Sequence, residues 1–239
     1  MISCRYLSLV LTDMKGKLIV IDGGDGAGKA TQAKLLIEHL RVDGHIVETL
    51  DFPQYTQNHF GKLIRECLDG KRGDFMKLDA KVVAALFAAD RFESKKVLED
   101  WLIEGKVVLL DRYVSANMMH QSARLTDDSE LPELLDWIDH MEHEVYEIPR
   151  PDITFYFDIP FEIREKLKIQ SVAEGKHTGE LDVAEKDQEH QQMAEVRARK
   201  IVELRADWQQ INCCCSESGD LRSREDIHEE VYQTVSKIL

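Results

Sequence analysis

The stretch that most constrains this chain is residues 17–31, KLIVIDGGDGAGKAT, in which an apolar run leads through a glycine-rich loop into a helical pattern. Residues 18–21 are apolar and largely β-branched, which is typical of a buried strand. Glycines let successive backbone N–H groups turn toward an anion, and a helix that begins at Lys29 adds its partial positive charge. The spacing G-x4-GK therefore predicts a phosphate-binding loop whose lysine reaches the β- and γ-phosphates. The residues assigned to it are Gly23, Gly24, Asp25, Gly26, Ala27, Gly28, Lys29, Ala30 and Thr31.

One position departs from the phosphate-loop pattern. The residue after the lysine is ordinarily Ser or Thr, whose hydroxyl ligates Mg²⁺, but here it is Ala30. Thr31 comes next, yet one step along a helix rotates the side chain by about 100°. Thr31 therefore cannot simply replace the missing hydroxyl.

Two other interpretations of the loop are weaker. A dinucleotide-binding turn, G-x-G-x-x-G, with Asp51 as the ribose-binding acid, would put Lys29 at the third glycine position and leave the lysine unexplained. A turn without a ligand would have the entropic cost of several glycines, and no ligand would explain why they are there. We therefore favour a triphosphate site.

Strands alternate with helices along the chain, which favours an α/β fold with helices on both faces of a parallel sheet. We expect a three-layer α/β/α arrangement with five parallel strands. Strands are predicted at residues 18–21, 46–50, 107–110, 153–157 and 208–212. Helices are predicted at residues 29–41, near 60–68, at 78–103, at 130–147, from about 160, up to about 207 and at 223–238.

Length and charge limit the possible functions. The 239 residues fit one domain, which we place at residues 14–239, after an N-terminal extension of residues 1–13. The formal net charge of −14 argues against nucleic acids and membranes as partners. No apolar run reaches the roughly eighteen residues of a membrane helix. Five cysteines, three of them contiguous, form no disulfide framework and indicate a cytoplasmic protein.

Two charged residues follow the strand predicted at residues 107–110. Asp111 stands where an acidic residue opposite a phosphate loop holds Mg²⁺. The simpler alternative is an aspartate that caps the next helix, but the glycine loop makes us favour the metal. Arg112 adds a planar guanidinium that suits phosphate oxygens.

Phe87 and Arg91 are four residues apart, so they share one face of the predicted helix. A phenylalanine can stack on a nucleobase, and an arginine can donate to base oxygens. Spacing alone favours the simpler interpretation, in which Phe87 belongs to the core and Arg91 pairs with a carboxylate.

Taken together, these motifs resemble the thymidylate kinase family of nucleoside monophosphate kinases, over about residues 16–236. The resemblance implies a P-loop kinase fold with a lid at about residues 170–189. It also implies phosphorylation of dTMP to dTDP with ATP and Mg²⁺, and a homodimer. The matching segments are DGGDGAGKATQ at 22–32, Phe52-Pro53, ALFAADRF at 85–92, Asp111-Arg112-Tyr113, Pro151-Asp152 and Leu181-Asp182.

The resemblance assigns catalytic roles to Lys29, Arg112 and Asp111. Arg112 is expected to bridge the phosphates. Asp111 is expected to help hold Mg²⁺, through a water molecule.

The resemblance also assigns contacts with the acceptor nucleotide. Asp25 is expected to contact the deoxyribose 3′-hydroxyl, Phe87 to stack on thymine and Arg91 to hydrogen-bond the edge of the base. Further substrate contacts are expected at Phe52, Tyr55, Ser115, Asn117 and Gln121.

The chain departs from the family pattern in two further places. The arginine that the family commonly carries in its F-P-x-R segment is replaced by Tyr55, and the lid region has no arginine between Arg164 and Arg197. A missing transition-state arginine can lower the rate by orders of magnitude. Two alternatives therefore stay open: a kinase for a different nucleoside monophosphate, and a nucleotide-binding paralogue with reduced or lost turnover.

His140 and His143 lie three residues apart among acidic residues, a spacing that resembles a metal site. Such a charged face is more often solvated, so we expect a solvent-exposed helix surface here.

Overall fold

The computed structural model describes residues 15–173, 183–215 and 219–239. This part of the chain contains the glycine loop and all the predicted strands. The predicted N-terminal extension and residues 174–182 of the predicted lid lie outside the described residues.

The centre of the fold is a sheet of five parallel strands in the order β2-β3-β1-β4-β5. The chain builds the sheet outward from β1, first on the side of β3 and then on the side of β4. The strand order therefore reverses at β1. In such sheets, ligand sites lie outside the carboxyl ends of the strands where the order reverses. The strands are β1 (Lys17–Gly23), β2 (Val47–Asp51), β3 (Val107–Asp111), β4 (Ile153–Asp158) and β5 (Trp208–Asn212).

The register brings three carboxyl ends to the same edge of the sheet. Ile21 of β1 pairs with Asp111 of β3, and Asp111 pairs with Asp51 of β2. The glycine loop leaves β1 two residues beyond Ile21, so it lies beside the carboxylate of Asp111.

Helices cover both faces of the sheet, because β1 buries alternate side chains on opposite sides. Leu18 and Val20 pack against α3, α4, α5, α6 and α9, whereas Ile19 and Ile21 pack against α1, α7 and α10. This arrangement confirms the predicted three-layer α/β/α class. The helices are α1 (Lys29–Val42), α2 (His59–Leu68), α3 (Ala80–Glu93), α4 (Lys95–Ile103), α5 (Val114–Ser122), α6 (Leu131–His140), α7 (Phe161–Ala173), α8 (Val183–Lys186), α9 (Gln188–Leu204) and α10 (Arg224–Val235).

The prediction of a single helix at residues 78–103 is wrong, because the structure has two helices there, α3 and α4, which meet at Ser94. The Ser94 N–H donates to the carbonyl of Arg91, three residues back, which ends α3 in a tighter turn. Asn58 Nδ2 donates to Ser94 Oγ at 3.0 Å and holds the break from outside the helix.

Two more helices differ from the sequence prediction. The helix predicted at residues 130–147 ends at His140 and continues as a π-turn, Met141–Val145. Helix α5, which follows Tyr113, was not predicted, and its short run of mixed polar and apolar residues explains why.

Candidate active site

The glycine loop turns from β1 into α1. Gly26 and Gly28 have φ angles of 89° and 83°, a left-handed conformation that side chains disfavour. Helix α1 has no side-chain cap at its N-terminus. Its first backbone N–H groups are therefore available to an anion.

Lys29 bends back over this loop. Its Nζ donates to the carbonyl oxygens of Gly23 at 2.9 Å and Gly24 at 3.2 Å, and lies 3.7 Å from Oδ1 of Asp25. Burial lowers the pKa of Lys29, while the carboxylate of Asp25 acts in the opposite direction. The ammonium group is thus held over the glycine loop.

Strand β3 brings two charged residues to the same edge. Asp111 Oδ1 is buried and has no hydrogen-bond partner among the described residues. Arg112 has φ of 66°, a conformation that is uncommon for a residue with a side chain and concentrates at functional sites. Its guanidinium pairs with Asp25, whose charge raises the pKa of Arg112. An unpartnered buried carboxylate oxygen fits a ligand of a divalent cation, so Asp111 suits an Mg²⁺ site.

A cavity of about 490 Å³ opens beside these charges. Its volume lies within the roughly 300–1,000 Å³ that small-molecule sites span. The cavity extends from the phosphate loop to α3 and α5, so the structure brings most of the predicted site residues together. Those that line it are Asp25, Lys29, Phe52, Tyr55, Phe87, Arg91, Asp111, Arg112, Asn117 and Gln121.

Other predicted site residues lie away from this cavity. Ser115 is buried and donates to Oδ2 of Asp22 at 2.6 Å, so it supports the end of β1, and it does not line the cavity. Ala30 and Thr31 are exposed on the first turn of α1. The loop residues that do not line this cavity are Gly23, Gly24, Gly26, Ala27 and Gly28.

The far end of the cavity contains a buried polar cluster around Arg91, which is 2% exposed. Its Nε and Nη2 donate to Glu142 at 2.5 and 2.6 Å. Asn117 Nδ2 donates to Glu142 Oε1 at 2.8 Å and to the Ala84 carbonyl at 3.0 Å. The expected pairing of Arg91 with a carboxylate is therefore present, and the same arginine lines the cavity together with Phe87.

The expectation of a solvated face around His140 and His143 is wrong in part. His140 is exposed, but Glu142 and His143 are buried. His143 Nδ1 lies 3.0 Å from the Ile148 carbonyl oxygen, and burial lowers the pKa of His143. Glu142 continues the buried stripe of α6, which includes Ile138 and is the signal that could have identified it.

Asp90 ties α3 to the segment that carries Phe52 and Tyr55. Its carboxylate accepts hydrogen bonds from the Gln54 N–H at 3.0 Å and from Asn58 Nδ2 at 2.9 Å. Burial raises the pKa of Asp90, and these two donors oppose the shift. The helix with Phe87 and Arg91 and the loop with Tyr55 are thus fixed relative to each other.

Among the cavity residues that were not predicted, three have basic side chains: His120, Arg124 and His190. His120 Nδ1 lies 3.4 Å from His190 Nε2, and burial lowers the pKa of both rings, that of His190 to about 4. Arg124 Nη1 donates to the Met76 carbonyl at 2.8 Å and holds one wall of the cavity. These residues come from separate elements and form no sequence motif, so only the fold brings them together.

Arg164 lies directly against the phosphate loop. A Cβ atom on Gly24 would be 2.0 Å from Arg164 Nη1, so a side chain at this position would displace the guanidinium. Arg164 is buried, and its Nη2 lies 3.4 Å from Glu195. A cation therefore reaches the loop from α7, although the lid sequence offers no arginine.

Comparison with known proteins places this site in a family context. A protein-family model for thymidylate kinase matches residues 21–214. The probable thymidylate kinase of Pyrococcus horikoshii is 34% identical over 224 residues, which span 93% of this chain and 97% of that protein. The thymidylate kinase of Mycobacterium tuberculosis is 35% identical over 135 residues, 56% of this chain and 62% of that protein.

A solved structure shares the fold. The thymidylate kinase of Candida albicans superposes with a TM-score of 0.69 over 93% of this chain and 92% of that chain, at 21% identity. Within the described residues, no helix combines the length and the apolar character needed to cross a bilayer. The glycine loop, the sheet topology and the match over most of the sequence agree: this chain belongs to the thymidylate kinase family.

Proposed function

We propose that this protein transfers the γ-phosphoryl group of ATP to dTMP and forms dTDP and ADP. The observation that carries the proposal is one cavity that joins Lys29 and Arg112 at one end to Phe87 and Arg91 at the other. Phosphoryl transfer needs reactants held in line and negative charge neutralised, more than it needs covalent help. The cavity offers both in a protein whose net charge is −14.

The phosphate end would bind ATP through the loop N–H groups and Lys29. Arg112 stands next to Lys29 and would contact the donor and acceptor phosphates, exchanging its pairing with Asp25 for phosphate oxygens. Asp111 would hold Mg²⁺, which supplies further neutralisation of phosphate charge when bound.

The base end offers a hydrogen-bond pattern that suits thymine. Both hydrogens of the Asn117 amide are used, so Oδ1 is left to accept, and it has no partner among the described residues. Arg91 uses Nε and Nη2 for Glu142, which leaves Nη1 to donate. Thymine presents an N–H beside a carbonyl and matches this pair, whereas cytosine presents a ring nitrogen beside an amino group.

We further infer that the protein is a cytoplasmic homodimer. Exposed apolar side chains on α3 and α4, among them Val82 and Ile103, support self-association. Sedimentation velocity would test the dimer. A species of one chain at micromolar concentration would contradict it.

A coupled assay with ATP, Mg²⁺ and dTMP, dUMP, dCMP or dGMP tests the function. We expect the highest kcat/KM with dTMP. A preference for another acceptor would favour the alternative kinase, which the replacement at Tyr55 motivates. Thermal stabilisation by ATP or dTMP without dTDP formation would favour a binding protein, which Ala30 motivates.

A further inference from the structure

Glu142 is a fully buried carboxylate outside the matching segments named in the sequence analysis. It lies in the π-turn that follows α6, where the Tyr146 N–H donates to the Met141 carbonyl at 3.0 Å. Such turns insert one extra residue into a helix and are frequent at functional sites. Here the turn directs an acidic side chain, 0% exposed, toward α3 and α5.

Three hydrogen bonds converge on this carboxylate. Arg91 donates from Nε to Oε2 at 2.5 Å and from Nη2 to Oε1 at 2.6 Å, and Asn117 donates from Nδ2 to Oε1 at 2.8 Å. Arg91 and Asn117 both line the cavity, but they come from different helices. Glu142 is therefore the common anchor of two cavity side chains.

The stability of the fold does not by itself explain the cluster. Removing two charges from water is costly, and well-packed apolar side chains often serve a core equally well. Breaking such a pair by removing one partner, however, is strongly destabilising. An ion pair with good geometry next to a ligand cavity therefore points to a role in orientation.

The orientation of Asn117 follows from its acceptors. Its amide faces Glu142 Oε1 and the Ala84 carbonyl, and both of these can only accept. A flipped amide would set its own oxygen against two acceptors. Glu142 thus fixes Nδ2 inward and leaves Oδ1 as the hydrogen-bonding atom for a ligand.

We propose that Glu142 is a positioning residue that sets the base preference of the acceptor site, acting through Arg91 and Asn117. It favours bases that present an N–H beside a carbonyl, such as thymine, uracil and guanine, over cytosine and adenine. This inference rests on the proposed function, because it needs a nucleobase at this end of the cavity.

Glu142→Gln is the direct test. A glutamine keeps the size but replaces one acceptor by a donor, so the Arg91 pairing weakens and the Asn117 amide is free to turn over. We expect KM for dTMP to rise about tenfold, the effect of about one lost hydrogen bond, with kcat changed less than threefold. The ratio of kcat/KM for dTMP to that for dCMP is expected to fall by a similar factor.

Glu144→Gln is the matched control, because Glu144 lies on the same turn but is exposed and pairs with Arg150 at 3.0 Å on the surface. Glu144→Gln should leave kcat and KM for dTMP unchanged. Glu142→Asp keeps the charge and should recover part of the dTMP affinity. It also tests the inference if the glutamine variant does not fold. A base preference that is the same in wild type and in the folded Glu142 variants would overturn the inference.

Titration calorimetry with dTMP and dCMP separates this inference from the proposed function. The wild-type protein could bind dTMP in preference to dCMP without turnover, and Glu142→Gln could lose that preference. This result would overturn the proposed kinase activity and support the positioning role of Glu142. Turnover of dTMP by the wild type, with an unchanged binding preference in Glu142→Gln, would support the kinase activity and overturn the positioning role of Glu142. Wild type that binds neither nucleotide would overturn both.

Discussion

Ser115 Oγ donates to Oδ2 of Asp22 across 2.6 Å, and both side chains are buried. Oδ1 of the same aspartate accepts the Gly23 N–H at 2.8 Å. The carboxyl group thus links the start of α5 to the end of β1, at the point where the phosphate loop begins. Burial raises the pKa of Asp22, and its charged and hydrogen-bonded neighbours oppose the shift.

Ser115→Ala removes one of these hydrogen bonds and leaves a buried carboxylate oxygen without its donor. We expect the free energy of unfolding to fall by about 1–3 kcal/mol, as measured by urea denaturation. Ser129→Ala, in the exposed turn Asp128–Glu130, is the control and should change it by less than about 0.5 kcal/mol. An equal effect of the two substitutions would show that the Asp22 contact contributes little.

The buried histidines predict a pH dependence of stability. The pKa of His190 is lowered from 6.5 to about 4 by burial, so between these values the unfolded chain binds a proton that the folded chain does not. The stability present above pH 6.5 is therefore lost as the pH falls toward 4. Each pH unit corresponds to about 1.4 kcal/mol, so His190 alone accounts for about 3 kcal/mol.

His190→Asn should flatten this dependence, as measured by urea denaturation at pH 7 and pH 5. His143 and His120, whose pKa values burial also lowers, should retain part of the slope. His140→Asn, which replaces an exposed ring, serves as the control, and His190→Asn should lose more of the slope than this control does. An unchanged slope in His190→Asn would show that His190 does not contribute to the pH dependence of stability.

Much of the fold could be predicted because its signals are local. The apolar runs of β1 and β3 are buried on both faces, and the G-x4-GK spacing identifies the loop without any tertiary information. The break at Ser94 could not be predicted, because it depends on Asn58, which lies 36 residues earlier in the chain.

The site residues also divide into those that have a local sequence signal and those that do not. Asp111 and Arg112 follow directly from a strand end, and Phe87 and Arg91 from helical spacing. The acidic surroundings of Glu142 suggested a solvated face, whereas the apolar stripe of α6 places it in the core. His120 and His190 carry no local signal, because the packing of α9 on α5 alone brings them together.

Asp111→Asn tests the magnesium assignment. Replacing a charged ligand by a neutral amide should raise the Mg²⁺ concentration for half-maximal activity about tenfold or more, and lower kcat at saturating ATP. Asp136→Asn, on the exposed face of α6, is the control. The measurement is a Mg²⁺ titration of dTDP formation, and an unchanged midpoint in Asp111→Asn would contradict the assignment.

Ala30→Ser restores the hydroxyl that the phosphate-loop pattern normally supplies. Ala30 is exposed on the first turn of α1, so a serine fits without displacing a neighbour, and stability should change by less than about 0.5 kcal/mol. The added ligand should lower the Mg²⁺ concentration for half-maximal activity several-fold and raise kcat/KM for ATP, with KM for dTMP unchanged. A parallel Mg²⁺ titration of wild type and variant measures this. Coincident curves would mean that Asp111 and the nucleotide phosphates hold the ion without help from the loop.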